Sequence, residues 1–272
     1  MKIPDIKLNH KNSIPQIGLG LWQVKDAEQF ATGFQAAAKA GYRHFDSAQV
    51  YQNEQMLGEQ WQAAGLKRGE LFLTTKIWVE NFGHKRTPKS FEESLRKLRT
   101  DYVDLLLLHF PVTILRKRAW PALEAIQAGG GAKSIGVSNY TVRHLEEMEK
   151  YAKVMPAVNQ VELHVFLQQP ELVKYCREHN IVIEAYSPLA HAKAMDNSVI
   201  AAIAKKHGKT YAQIMLRWCV QNNFVVLPKS VTPSRIEENI NIFDFELDDE
   251  DITTIAAQDQ NMRTAWSPVH VP

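Results

Sequence analysis

Tyr102-Val103-Asp104-Leu105-Leu106-Leu107-Leu108-His109 runs through four consecutive leucines and stops on a histidine. A strand with one wet face alternates apolar and polar residues. An unbroken apolar run is what a parallel strand buried on both faces requires. The same rhythm continues on either side. Strand-like segments at 43–47, 71–76, 134–138, 157–162, 181–187 and 224–228, with a last short one near 241–245, bring the number to eight. Between and after them lie helical segments at 26–40, 52–64, 88–99, 119–128, 141–152, 169–179, 196–207, 210–222, 234–240 and 248–258. Gly41 and Gly65 sit where helix C-caps are expected, and Thr87-Pro88 opens a helix. Alternating βα units imply a parallel sheet with right-handed crossovers. Eight of them in 272 residues fit a closed (β/α)8 TIM barrel, one domain over 1–272, better than an open sheet. Residues 5–8 and 14–17, joined across Asn9-His10-Lys11-Asn12, read as an N-terminal β-hairpin, and 259–272 as a C-terminal tail rich in turn residues. Gly18-Leu19-Gly20-Leu21-Trp22 reads as a Gly-x-Gly turn. It lacks the third glycine and the long preceding strand of a dinucleotide fingerprint.

Composition narrows the function classes. With 45% hydrophobic and 23% charged residues the chain can bury a full core. A net charge of +2 without a basic run argues against nucleic-acid binding, and Arg116-Lys117-Arg118 reads as a solvated loop. No apolar run approaches the ~18 residues of a membrane span, and the N-terminus has no apolar signal core. Cys176 and Cys219 lie far apart in helical patterns, neither a disulfide nor a metal pair. The expectation is a cytoplasmic protein without metal. No long apolar stripe is left over, so a monomer is expected.

Catalytic groups of such a barrel sit at the C-terminal ends of its strands. Those ends carry Asp46, Lys76, His109, Ser138 with Asn139, Gln160, Tyr186, and Lys229 with Ser230. One polar strand end is ordinarily a cap, and Asp46 alone reads equally as the cap of a βα loop. A series of chemically varied ends reads as a site. Lys76 follows an apolar strand and needs a carboxylate partner, for which Asp46 one strand away is placed. Tyr51, at the mouth of a helix, then stands over an ammonium. That proximity is expected to lower its phenol from the usual ~10 and suit it to general acid catalysis. His109 reads either as a satisfied core histidine or as a donor to an acceptor oxygen. Together the four groups make a proton-donating pocket for a carbonyl.

A second site is read in Leu227-Pro228-Lys229-Ser230-Val231-Thr232-Pro233-Ser234-Arg235-Ile236-Glu237-Glu238-Asn239. Thr232-Pro233 is a helix N-cap and first-turn pair. Lys229, Ser230, Thr232 and Arg235 converge there as an anion site. With Tyr186 to stack on a flat ring and the amides of Asn139 and Gln160 to hold a carboxamide, these features point to a nicotinamide cofactor bound without a Rossmann domain.

The sequence resembles the aldo-keto reductase family over nearly its whole length. The matches are Gly18–Trp22, Asp46–Glu54, Thr75-Lys76-Ile77-Trp78, Leu108-His109-Phe110-Pro111, Ile135-Gly136-Val137-Ser138-Asn139, Asn159-Gln160-Val161-Glu162-Leu163-His164, Ala185-Tyr186-Ser187-Pro188-Leu189 and Pro228–Asn239. The resemblance implies a (β/α)8 barrel with NADPH across its C-terminal mouth and a catalytic tetrad Asp46, Tyr51, Lys76 and His109, with Tyr51 donating the proton. It implies cofactor contacts at Gly20, Leu21, Trp22, Ser138, Asn139, Gln160, Tyr186, Ser187, Leu189, Lys229, Ser230, Val231, Thr232, Arg235, Glu238 and Asn239. Among these, Arg235 favours NADPH over NADH. Lys76–Asn81 and Leu98–Asp104 look like bacterial 2,5-diketo-D-gluconate reductases, which also reduce methylglyoxal and β-keto esters. Trp22, Tyr51, Trp78, Phe110 and Trp266 are the substrate-pocket candidates, each of which could equally be core. Trp266, in the tail, is expected over the barrel mouth.

The chain departs from the family pattern at Phe110 (usually Trp), Val165 (usually Pro), Ser47 (usually Thr), Gly129–Lys133 and the short 112–118 loop. Two other readings compete. One is a cofactor-binding redox sensor or regulatory subunit on the same barrel. The other is an isomerase or lyase using Lys76 in a Schiff base.

Overall fold

The computed structural model describes residues 3–9, 12–112, 115–192 and 196–272. Its centre is a sheet of eight strands in chain order: β3 (Leu19–Gly20), β4 (His44–Asp46), β5 (Phe72–Ile77), β6 (Val103–Leu108), β7 (Ala132–Ser138), β8 (Val158–Glu162), β9 (Val182–Tyr186) and β10 (Val225–Leu227). All seven neighbouring pairs are parallel. The ends join through Gly18 N–H to Val226 O, 2.9 Å, Gly20 N–H to Pro228 O, 3.1 Å, and an Ile17–Val226 bridge. The barrel is therefore closed, as the alternation of strands and helices predicts.

Its first strand lies where the sequence suggested a turn. Leu19–Gly20 is two residues long, too short for periodicity to register. Its glycines are there for close approach: a Cβ on Gly18 would lie 2.6 Å from His44 Nδ1 and 2.8 Å from Leu227 Cδ2. The strand expected near 241–245 is absent. That segment's carbonyls are held by side chains instead, Asn241 O by Gln213 Nε2 at 3.0 Å and Ile242 O by Arg217 Nη1 at 3.1 Å. The count of eight was right and one member was misplaced.

The leucine run of β6 is buried at every position and divides by parity. Leu106 and Leu108 pack outward with the helices. Leu105 and Leu107 point inward with Phe72, Val158 and Val225. The hairpin, β1 (Asp5–Lys7) and β2 (Ser13–Pro15), plugs that end of the barrel by adding Ile6, Leu8 and Ile14 to the same cluster. His10 and Lys11 at its tip lie outside the described residues.

The outer layer is α1 (Ala27–Ala40), α2 (Glu54–Ala63), α3 (Arg86–Leu98), α4 (Leu115–Ala128), α5 (Val142–Met148), α6 (Pro170–Glu178), α7 (Ser198–His207), α8 (Tyr211–Gln221), α9 (Pro233–Ile240) and α10 (Asp249–Ala256). Local chemistry sets their limits. Asp26 caps α1 by accepting from Gln29 N–H at 2.8 Å, and Gly41 ends it at φ +103°. Arg116-Lys117-Arg118 is not a solvated loop. It forms the first turn of α4, and Arg116 is buried, donating to Glu147, Pro111 O and Pro272 O. Of the 112–118 segment, residues 113 and 114 lie outside the described residues. No described helix is long and apolar enough to cross a membrane.

Candidate active site

β4 and β5 run side by side, which puts Asp46 and Lys76 at the same end of adjacent strands. Lys76 is fully buried, and its ammonium donates to Asp46 Oδ1 at 2.7 Å, Asp46 Oδ2 at 2.6 Å, Ser47 O at 3.0 Å and Tyr51 OH at 3.3 Å. Its protons are all directed at acceptors, and a charged nitrogen so held has no lone pair for Schiff-base attack. Tyr51 ends a short 3₁₀ turn, Gln49–Tyr51. That turn is fixed on both sides: Ser47 Oγ donates to Asn53 Oδ1 at 2.7 Å, and Asn53 Nδ2 donates to Leu21 O and Val24 O. Gln49 accepts from Trp78 N–H and Asn81 Nδ2, both at 2.9 Å, so one side chain positions Tyr51 and Trp78 together.

His109 follows β6 directly. Its ring stands edge-on to Tyr51, 5.5 Å between centroids, and to Trp78, 5.2 Å. Its Nδ1 is buried without a partner, and burial together with Lys76 holds the imidazole well below its ordinary value, so it is neutral at pH 7. The four tetrad candidates thus form one cluster.

The expected sign of the Tyr51 shift is overturned. Burial first, then the Asp46 and Glu184 carboxyls, push the phenol well above its ordinary value. The bidentate Asp46 offsets the ammonium that was expected to lower it. Tyr51 therefore stays a neutral phenol at every physiological pH.

Next to this cluster the candidates of β7, β8 and β9 form a hydrogen-bonded chain. Tyr186 OH donates to Asn139 Oδ1 at 2.7 Å, Asn139 Nδ2 donates to His109 O and Ser138 Oγ, and Ser138 Oγ donates to Gln160 O. Gln160 spends both amide protons below the mouth, on Asp46 Oδ1 at 2.9 Å and Glu184 Oε2 at 2.6 Å. What Asn139 and Gln160 leave open are oxygen lone pairs, so they can only accept from a ligand amide. Gly20 and Leu21 use their backbone N–H groups on Pro228 O and Asp46 O.

The anion-site candidates gather at the start of α9. Thr232 is its N-cap but makes no side-chain cap hydrogen bond, and Pro233 follows. The first-turn N–H groups and the Thr232 hydroxyl are thus open to an anion. Lys229 and Arg235 are exposed. Ser230 Oγ accepts from Thr232 N–H at 3.1 Å, and Val231 packs on Gly33 of α1. Asn239 is buried, while Glu238 is engaged by Thr210 Oγ1 at 2.7 Å. Ser187 Oγ pairs with His191 Nε2 at 2.8 Å, and Leu189 is half-buried against the core.

Of the ring candidates, Trp266 is 69% exposed and lies 6.2 Å from Trp78 and 6.5 Å from Phe110, centroid to centroid. The tail therefore does lie over the mouth. Trp22, 43% exposed, meets His191 instead, edge-on at 5.5 Å.

Two residues that sequence reasoning passed over hold this arrangement. Glu162, at the end of β8, accepts from Thr264 N–H at 2.6 Å, Thr264 Oγ1 at 2.5 Å and Ala265 N–H at 3.2 Å, which anchors the tail beside Trp266. Glu184 lies under Gln160. Both were legible by parity, because Glu162 and Glu184 stand two residues from the inward Gln160 and Tyr186.

Comparison with known proteins shows the family. The profile of the Aldo/keto reductase family matches residues 16–260. Glyoxal reductase of Bacillus subtilis is 43% identical over 263 residues, 97% of this chain and 95% of that protein. Methylglyoxal reductase DkgA of Escherichia coli K12 is 43% identical over 267 residues, 97% of this chain and 96% of that protein. Among solved structures, a Bombyx mori aldo-keto reductase in complex with NADP superposes with a TM-score of 0.92 at 32% identity, covering 97% of this chain and 95% of that one. An aldo/keto reductase from Brucella melitensis gives 0.91 at 43% identity, covering 95% and 100%. Matched across the whole barrel in sequence and in structure, the chain belongs to the aldo/keto reductase family.

Proposed function

We propose that this chain reduces small aldehydes and ketones to alcohols with NADPH, and that its substrates are small dicarbonyls of the glyoxal and methylglyoxal kind. The observation that carries the reading is Tyr51 OH 3.3 Å from an ammonium that Asp46 holds with two short bonds, beside a neutral His109. As an oxidoreductase of this family it uses NADP. When bound, that cofactor supplies a hydride to the carbonyl carbon.

The residues present suit such a ligand. Lys229, Arg235 and the open first turn of α9 offer cations and N–H donors to a 2′-phosphate. Asn139 and Gln160 offer acceptors to a carboxamide, and Tyr186 offers a ring face. Tyr51, kept as a phenol, donates its proton to the carbonyl oxygen as charge develops there. The Lys76 ammonium stabilises the phenolate left behind. His109, uncharged and edge-on to Tyr51, offers its other ring nitrogen, Nε2, to orient the same oxygen. Trp78, Phe110 and Trp266 crowd the mouth with rings, which favours compact substrates and excludes water.

Absorbance-followed NADPH oxidation against methylglyoxal, glyoxal, 2,5-diketo-D-gluconate, a β-keto ester and an aromatic aldehyde, each repeated with NADH, tests the reading. Tyr51→Phe should keep NADPH affinity and lose at least about a hundredfold in kcat, the low end of a general acid's contribution. A loss of only a few-fold would remove Tyr51 as the acid.

A further inference from the structure

β9 carries a carboxyl that the mechanism above does not use. Glu184 is fully buried at the centre of the barrel. Its Oε2 accepts from Gln160 Nε2 at 2.6 Å, and the same nitrogen donates to Asp46 Oδ1 at 2.9 Å. One amide NH₂ therefore bridges the carboxylate that holds Lys76 and a second carboxyl beneath it. Glu184 Oε1 has no hydrogen-bond partner and lies 3.5 Å from His44 Nε2. The ionisable groups facing Glu184 are His44 and Asp46 from β4, Lys76 from β5 and Tyr51 above them. β8 contributes the Gln160 amide, and β10 lies alongside with Val225 opposite Glu184.

The cluster holds two carboxyls and one ammonium, and that ammonium is already committed to Asp46 at 2.6 and 2.7 Å. His44 is driven down to about 3, mainly by burial, and is neutral. An ionised Glu184 would be a second, uncompensated charge in the core. We propose that Glu184 is a positioning residue of the reductase site, a buried carboxylic acid that fixes the Gln160 amide and, by holding or losing one proton, sets how readily Tyr51 gives up its own. The proposal rests on the reading of Tyr51 as the proton donor.

The sign follows from the charges. Burial and Asp46 push Glu184 up to about 8, so below that pH it is neutral. Above it a new negative charge lies under Asp46 and Lys76, where it holds the Tyr51 proton more tightly and makes Tyr51 a weaker acid. Tyr51 itself is pushed well above its ordinary value, so an activity loss near pH 8 belongs to Glu184. Glu184→Gln keeps the acceptor for Gln160 and removes the titration.

The test is kcat/KM for methylglyoxal between pH 6 and 10, wild type against Glu184→Gln, with NADPH affinity measured by fluorescence at each pH. The wild type should fall to about a tenth of its plateau one pH unit above its midpoint, while the variant stays level within about threefold. NADPH affinity should match in the two proteins. Superimposable profiles, or a wild type without a limb near pH 8, overturn the proposal. Should the variant not fold, the infrared stretch of a protonated carboxyl in the wild type decides instead. Its presence at pH 6 and loss through pH 8 supports the proposal, and its absence at pH 6 overturns it. A wild type that reduces none of the carbonyls would defeat the reductase reading, and the infrared titration would still test Glu184.

Discussion

Replacing Glu162 by glutamine tests how much one side chain adds to the hold on the tail, beside Arg116 on Pro272 O and the Gln260 and Met262 N–H groups on Phe166 O. The Glu162 carboxylate is buried and accepts the N–H groups of Thr264 and Ala265 and the hydroxyl of Thr264. These bonds, with His164, outweigh burial and hold the carboxyl down to about 2 from 4.5. That difference corresponds to about 3 kcal/mol of preference for the charged state, shared between His164, the foremost lowering group, and the tail donors. A glutamine at 162 offers one oxygen and turns an NH₂ toward the remaining donors, so most of that preference is lost. The tail's share of that loss, about 1.4 kcal/mol, raises the locally open population at residues 264 and 265 by about tenfold.

Hydrogen exchange read by mass spectrometry on a peptide spanning 260–272 measures this directly, with the Thr264 and Ala265 amides as reporters. In the same variant KM for methylglyoxal should rise several-fold, because Trp266 no longer rests beside Trp78 and Phe110, while NADPH affinity holds. Because the folded value is depressed, the anchoring is present above pH 4.5 and lost as pH falls toward 2. Wild-type tail exchange, normalised for its intrinsic pH dependence, should therefore accelerate in acid. Unchanged exchange at Thr264 and Ala265 in the variant would refute the anchor. Faster exchange with an unchanged KM would refute the tail's part in shaping the pocket.

Three further outcomes are expected. Arg235→Ala should weaken NADPH by about 10- to 100-fold, the value of a charge-assisted hydrogen bond, and leave NADH nearly untouched. Equal losses measured by fluorescence titration would sink the 2′-phosphate assignment. Asp46→Asn strands the buried Lys76 ammonium, for which breaking a buried pair costs about 3–5 kcal/mol. Its melting temperature should drop by roughly 10 °C in a calorimeter, and an unchanged value would mean that the pair is not held as described. Gly18→Ala puts a methyl 2.6 Å from His44 Nδ1 at the barrel seam and should cost about 1–3 kcal/mol in urea unfolding. No loss would show that the closing strand is not packed against His44.

Much of this was legible because barrels write their layers in parity. The run Leu105–Leu108 announced burial on both faces, and the polar residues closing successive strands announced the mouth. Leu19–Gly20 was not legible, because two residues carry no period and its evidence is the backbone pairing to Val226 and Pro228. Arg116 was misread for a related reason. Charge runs are usually solvated, and only the fold brings Glu147 and the carbonyls of Pro111 and Pro272 to it. The sign of the Tyr51 shift depended on distances. Lys76 alone would lower the phenol, but Asp46 at 2.6 Å from that ammonium cancels its field and leaves burial to decide.

The interior explains why these polar groups can stand where a barrel ordinarily packs aliphatic side chains. Such barrels are filled by stacked layers of branched residues. Here the lower layer follows that rule with Leu105, Leu107, Val158 and Val225, sealed by Ile6, Leu8 and Ile14 of the hairpin. The layer above replaces it with His44, Asp46, Lys76, Gln160 and Glu184. Every buried polar group there costs stability unless it is partnered, and the partnering is nearly complete: Lys76 on Asp46, Gln160 on both carboxyls, His44 on Thr74 Oγ1 at 3.2 Å. Within and beside this layer, His44 Nδ1, Glu184 Oε1 and His109 Nδ1 are the buried atoms left without a partner among the described residues. A network so constrained holds Tyr51 and His109 in place before any substrate arrives, and such preorganisation is what lets fixed dipoles stabilise a developing charge. The apolar plug beneath it offsets the stability that this layer gives up.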